Sequence, residues 1–180
     1  MRSWLLRRAL VFALVYTTML AAFAAGILAE MDESTAREIV EAGEELLGEL
    51  VGEEPNIYLA YRIFFIYASR NLLVLLPGLG YALALSSSYS AGRVVKAEIV
   101  ASSLDLQGYQ AISRYALMPA FQLWLAAYAI SASEGIILVL RLARKREARG
   151  EGVCLLLALL LSSSMLLVAS TLEAISIISG

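Results

Sequence analysis

Five apolar stretches, 9–28, 57–76, 79–95, 116–140 and 153–178, take up more than half of this 180-residue chain. A chain built this way needs an apolar solvent. It is 60% hydrophobic and only 17% charged, and its mean hydropathy is +0.75. Soluble domains run at about 45–50% apolar. A soluble fold of this length has too little interior to hide the surplus, so the excess faces lipid. The expected fold is all-α: one integral membrane domain, residues 1–180, forming a polytopic bundle with the bilayer as its first partner.

Charge placement sets the number of crossings. Arg2, Arg7 and Arg8 precede the stretch 9–28, whose length of about 20 residues crosses ~30 Å of hydrocarbon. A secretory signal core is shorter, about 7–15 residues. Ala22-Phe23-Ala24 resembles a cleavage site, but the length favours a retained anchor. The stretches 116–140 and 153–178 are equally clear spans. The stretch 57–76 is interrupted by Arg62, Arg70 and Asn71, and 79–95 is rich in serine. These two read either as two spans or as one span with an interfacial piece.

The second basic block, Arg141, Arg144, Lys145, Arg146 and Arg149, belongs with the first on the cytoplasmic side. Residues 30–56 set ten acidic side chains against Arg37 alone and are placed outside. An odd number of crossings then separates this segment from the second basic block. One or three would satisfy the rule. Three is chosen because Pro77-Gly78-Leu79-Gly80 supplies a tight inner turn. The total is five, in the plasma membrane, with the N-terminus cytoplasmic and the C-terminus outside.

The acidic segment predicts a helix over about 35–51. Thr35 and Glu38 have capping-box spacing. Ile39, Val40, Leu46, Leu47, Leu50 and Val51 fall on one face, and the carboxylates take the other. Gly52-Glu53-Glu54-Pro55 ends the helix. It is expected to lie flat on the outer surface, its apolar side on the bundle or on lipid headgroups. A solvated connector is preferred to a dedicated partner-binding helix, and its acidity argues against anionic lipid. Residues 96–115 read as a helix end, a short turn around 105–108 and a re-entry.

The chain has no histidine and a single cysteine, Cys154. The usual general base and the commonest metal ligand are therefore missing, and one thiol cannot build a metal site. The serine triplets 86–88 and 162–164 lack an adjacent base, since Lys96 and Lys145, the only lysines, sit near membrane edges. They read as small polar residues that let helices approach. Gly78-Leu79-Gly80 has no P-loop context. No enzyme activity, metal or cofactor is expected, and a net charge of −2 gives no case for nucleic acid. Trp4, Tyr16, Tyr58, Tyr61 and Tyr115 are expected as interfacial anchors. Pro119 starts or kinks the fourth span.

Glu134 is the candidate for chemistry. A charge in mid-span costs about 2.5–3.5 kcal/mol on insertion scales, and those that persist usually face the protein interior. Glu134 falls about 10 Å inside the inner end of its span, among small residues. Arg70 is named as its first partner on depth, with Arg62 and Arg93 as further candidates. A buried pair that fixes helix register is preferred over an ion or proton pathway, because the next carboxylate, Glu173, falls at the opposite face.

Phe64-Phe65-Ile66-Tyr67-Ala68-Ser69-Arg70-Asn71, followed by Pro77-Gly78-Leu79-Gly80, sets phenylalanine and then asparagine before a glycine-containing span. In this, residues 63–140 resemble the stage II sporulation protein M family of membrane proteins. Tyr89-Ser90-Ala91-Gly92 keeps the second glycine of the next element, and Pro119, Ala127 and Gly135 match the spacing of the third. Where many members carry histidine and glutamate after that proline, this chain has Ala120-Phe121-Gln122-Leu123-Trp124, so no role of those residues carries over. The resemblance implies a multi-span scaffold or transport-associated protein without catalysis. In sporulating bacteria such proteins are thought to anchor cell-wall hydrolases at the septum during engulfment. The expected function is therefore a non-enzymatic scaffold, or an assembly or membrane-remodelling factor, with other membrane proteins or a second copy as partners. The alternative is a small transporter or channel, or an accessory subunit of one, with Glu134 in its pathway.

Overall fold

The computed structural model describes residues 2–51, 58–103, 108–143 and 151–179. Among them are seven helices: α1 (Arg2–Leu28), α2 (Glu33–Val51), α3 (Tyr58–Val74), α4 (Gly80–Ala101), α5 (Gly108–Ala116), α6 (Pro119–Ala143) and α7 (Glu151–Ser179). Three of them, over Trp4–Leu28, Pro119–Ala143 and Glu151–Ser179, are long and apolar enough to cross a membrane. Their outward faces carry leucines such as Leu10, Leu14, Leu157 and Leu160, each more than half exposed. In water that surface would be an aggregation liability; in a bilayer it is the solvent-matched side.

The five helices α1, α3, α4, α6 and α7 alternate in direction. Arg8, near the start of α1, bonds Glu134 of α6 and Glu151 at the start of α7. Gly135 of α6 lies against the carbonyls of Leu75 and Leu76, in the turn between α3 and α4. The start of α1 and the α3–α4 and α6–α7 junctions therefore share one end. At the other end Arg93 of α4 donates to the Glu30 carbonyl after α1, at 2.7 Å. There too, Leu59 and Ile63 of α3 pack with Ala174 of α7. The basic Arg7, Arg8 and Arg141 all belong to the first end, and the acidic α2 to the second.

The reason α3 and α4 separate is local. Leu75–Leu79 turn the chain, and Gly78 takes φ +87°, a left-handed conformation that costs a side-chain-bearing residue energy. Gly80 then starts α4 so close to α3 that any Cβ would collide with the Val74 carbonyl. This is the break expected at 77–80.

Lipid tails are as apolar as leucine, so helices in a bilayer associate through close packing and hydrogen bonds. Here α1 presents Val15, Met19, Phe23 and Ile27, all buried, and α4 presents Gly80, Ala84, Ser88 and Gly92, all buried. Both rows step by four residues, the spacing that lets ridges of one helix enter grooves of the other. At the tightest point Gly26 and Gly92 face each other. A Cβ on Gly92 would stand 3.1 Å from Gly26 Cα and closer still to the Phe23 carbonyl oxygen. Phe23 continues inward to a tilted contact with Phe121 (ring centroids 4.4 Å apart), and the row runs on through Trp124, stacked on Phe121, to Tyr128.

Several expected boundaries move. The helix predicted over 79–95 runs on to Ala101, because Val95, Ala97 and Ile99 remain buried. The re-entry is a separate short helix, α5, whose Ala111 packs with Phe23, Ile27, Val95 and Ile99. Pro119 starts α6 rather than kinking it. Its fixed φ and missing donor suit the first helical position, and the Met118 carbonyl accepts the first bond, from Gln122 at 3.0 Å.

The α2 cap is Asp32, three residues ahead of the predicted Thr35–Glu38 box. Its carboxylate accepts from the Thr35 amide at 2.9 Å and from the Ser34 and Thr35 hydroxyls at 2.5 and 2.8 Å. A carboxylate at a helix N-terminus also meets the positive end of the helix dipole. The Ser34 hydroxyl first, then the Thr35 amide and hydroxyl, hold Asp32 well below the usual carboxylate range. Because the folded-state value is depressed, the cap is complete at neutral pH and is lost only as the pH falls to strongly acidic values. The predicted helix end at 52–55, the turn at 105–107, the start of the second span at 57 and the basic residues Arg144–Arg149 lie outside the described residues.

Candidate functional site

The charged site expected at Glu134 exists, with different partners. Glu134 is bonded by Arg8 of α1, not by Arg70. Arg8 reaches Glu151 through its second terminal nitrogen at 2.5 Å, and Arg141 closes on the other Glu151 oxygen at 2.6 Å. The Glu151 side chain is 5% exposed, Glu134 12% and Arg8 13%. Two cations and two anions cancel, which is how charges are accommodated in a weakly polar interior. The Arg8 guanidinium also lies 4.4 Å from the Trp4 ring centroid, a cation–π contact that gives Trp4 a partner besides the interface.

Each of the three expected counter-charges is placed elsewhere. Arg62 donates to the Leu50 carbonyl at 2.6 Å and ties α3 to the end of α2. Arg93 does the same for Glu30 at the start of that connection. Arg70 is exposed on α3, one turn before the α3–α4 turn. Depth matching within one end would have found Arg8. It lies about 9 Å into α1 by helical rise, comparable to the depth of Glu134 in α6.

Two further polar contacts lie deeper. Asn71 of α3, fully buried, donates to Ser162 of α7 at 2.8 Å, and Ser131 of α6 donates to the same hydroxyl at 3.2 Å. The Ser162 hydroxyl donates in turn to the Leu159 carbonyl at 3.1 Å. Three helices thus meet on one oxygen, the use of serine expected from the triplets. Toward the opposite end the Tyr67 hydroxyl donates to Glu173 at 2.7 Å, and the Tyr128 hydroxyl donates to the Tyr67 carbonyl at 3.2 Å. Glu173 is therefore far from Glu134, as expected. Tyr16 bonds Gln122, which also donates to the Ala116 carbonyl and fixes the α5–α6 bend against α1.

All six positions that carry the family resemblance have packing or turning roles. Asn71 bonds the Ser162 node, Gly78 makes the left-handed turn and Gly92 the α1–α4 crossing. Pro119 starts α6, Ala127 is fully buried, and Gly135 admits the Leu75 carbonyl, which a Cβ would approach to 3.1 Å. Gly26, the other half of the crossing, is a residue the sequence reading missed. Its signal was available in the small residues around it, Ala21, Ala22, Ala24 and Ala25, which let a neighbouring helix approach. Among the described residues no group of three or more metal-ligating side chains occurs.

Comparison of the chain with protein-family models, with curated proteins and with solved structures gives no match.

Proposed function

We propose that the chain crosses the plasma membrane five times, N-terminus cytoplasmic and C-terminus outside, and works without catalysis as a scaffold or an assembly or membrane-remodelling factor. The sporulation protein M resemblance points the same way. The alternating directions of α1, α3, α4, α6 and α7 and the gathering of Arg7, Arg8 and Arg141 at one end support the topology. One observation carries the functional part. Two clusters of interior side chains are bonded within themselves, Arg8–Glu134–Glu151–Arg141 and Asn71–Ser162–Ser131, while among the described residues Arg8 Nε, Asn71 Oδ1 and Ser88 Oγ have no hydrogen-bond partner. The two clusters join helices to each other and build a rigid frame.

A transporter or channel is the second reading, and one observation favours it. Polar side chains recur along the α3–α6–α7 seam, from Glu173–Tyr67 through Asn71–Ser162–Ser131 to Glu134–Arg8. Against it, fully buried Leu125 and Leu166 belong to the apolar core cluster of the same bundle. The test is cross-linking in native membranes followed by purification in mild detergent, with proton flux measured in liposomes. The scaffold reading expects a membrane protein partner or a homo-oligomer, and no flux. A monomer with no co-purified partner contradicts it. Flux abolished by Glu134→Gln would establish the transporter instead.

A further inference from the structure

The apolar row of α2 is Ala36, Val40, Gly43, Leu47 and Leu50, spaced four, three, four and three, with Leu46 beside it. Its two ends are covered. Ala36 is fully buried at the first turn, where α2 packs on α4. Leu50 and Val51 pack with Leu59, Ile63 and Ala174 of α3 and α7. Its middle is bare. A Cβ on Gly43 would meet nothing within 4 Å among the described residues, and Leu46 and Leu47 are 60% and 40% exposed. The opposite face carries Glu38, Glu41, Glu45 and Glu49, and Glu44 flanks the row beside Val40 and Leu47.

We infer that the middle turns of α2, Gly43 to Leu47, are seated in the outer leaflet, with Leu46 and Leu47 in contact with lipid chains and the glutamates held toward water. Three observations select lipid as the occupant. The bare turns belong to the same helix face that touches the bundle on either side, so that face is directed at membrane-level elements. The helix to which Arg62 ties the end of α2 also begins with exposed Tyr58 and Tyr61, 64% and 53% exposed, the residue type that marks a bilayer interface. The charge pattern also argues against a second copy of α2, whose glutamates would repel, and against anionic headgroups. A neutral or zwitterionic leaflet fits both faces of the helix. Inserted on one side only, α2 is a wedge tied to the bundle by Arg93 at one end and Arg62 at the other. This inference rests on the chain being embedded in a bilayer.

The single cysteine makes the test direct. In a Cys154→Ser background, spin labels at Leu46→Cys, Leu47→Cys, Glu45→Cys and Leu157→Cys are placed in phosphatidylcholine nanodiscs. Collision with oxygen is compared with collision with a hydrophilic nickel chelate. The expected oxygen-to-chelate ratio is several-fold higher at positions 46 and 47 than at 45, and as high as at 157 or approaching it. Chelate access at 47 equal to that at 45 overturns the inference, as does shielding of 47 from both probes. Position 157 is the lipid-facing control on α7. If 157 itself is open to the chelate, the membrane embedding fails; if only 47 is open, the embedding stands and the wedge does not.

Discussion

Arg8→Met destabilises the bundle by about 3–5 kcal/mol, the cost of removing one partner from a buried ion pair. The substitution leaves Glu134 and Glu151 sharing the single cation Arg141, so one carboxylate stays in the interior uncompensated. Adding Glu134→Met to the same chain recovers most of the loss. The remaining Arg141–Glu151 pair is neutral as a unit, and methionine fills volume without demanding solvation. Reversible unfolding in mixed micelles of mild detergent and dodecyl sulfate reads both values. The double variant also separates the two functional readings. A frame regains its stability and its partners, whereas a pathway through Glu134 regains stability and stays dead.

Gly92→Leu produces the second large effect, a loss above the ~1–3 kcal/mol usual for overpacking. The neighbour is the Phe23 carbonyl and the Gly26 backbone, which cannot rotate aside as a side chain would. α1 and α4 must therefore part along the whole row from Val15 to Ile27, and the Arg93 bond to Glu30 parts with them. Gly43→Ala is the control. Its Cβ meets nothing, so it should be neutral or gain up to about 1 kcal/mol of helix propensity. Thermal unfolding in mild detergent that ranks the two glycines equally would contradict the crossing described here.

What could be read from sequence follows from what leaves a one-dimensional trace. Helical spans do, because lipid contact demands long apolar runs, and three of the helices stand out by composition alone. The break at Pro77-Gly78 does, because proline and glycine act on their own backbone. α3 and α4 are harder, since their inward faces carry Asn71, Ser88 and Gly92, and that packing chemistry dilutes the apolar signal. Glu134 announced itself as a charge in a span. Its partner did not, because pairing depends on which helices are neighbours. Arg70, one turn from a junction, is named on depth and Arg8 is not considered, yet α3 turns Arg70 outward while α1 packs on α6. The α2 cap failed for a smaller reason. Thr35–Glu38 and Asp32–Thr35 are both sound pairs, and the carboxylate at Asp32 is the stronger acceptor.

The five-span topology is the claim on which the rest depends, and the α3–α4 turn decides it. Leu79, in that turn, is 64% exposed and takes an ordinary helical backbone conformation, so a cysteine there is tolerated and reachable. In intact cells carrying Cys154→Ser and Leu79→Cys, a membrane-impermeant maleimide should leave the protein unmodified until the membrane is permeabilised. Glu45→Cys in the same background should react at once. Modification of Leu79→Cys in intact cells would place the turn outside and contradict the five-span arrangement.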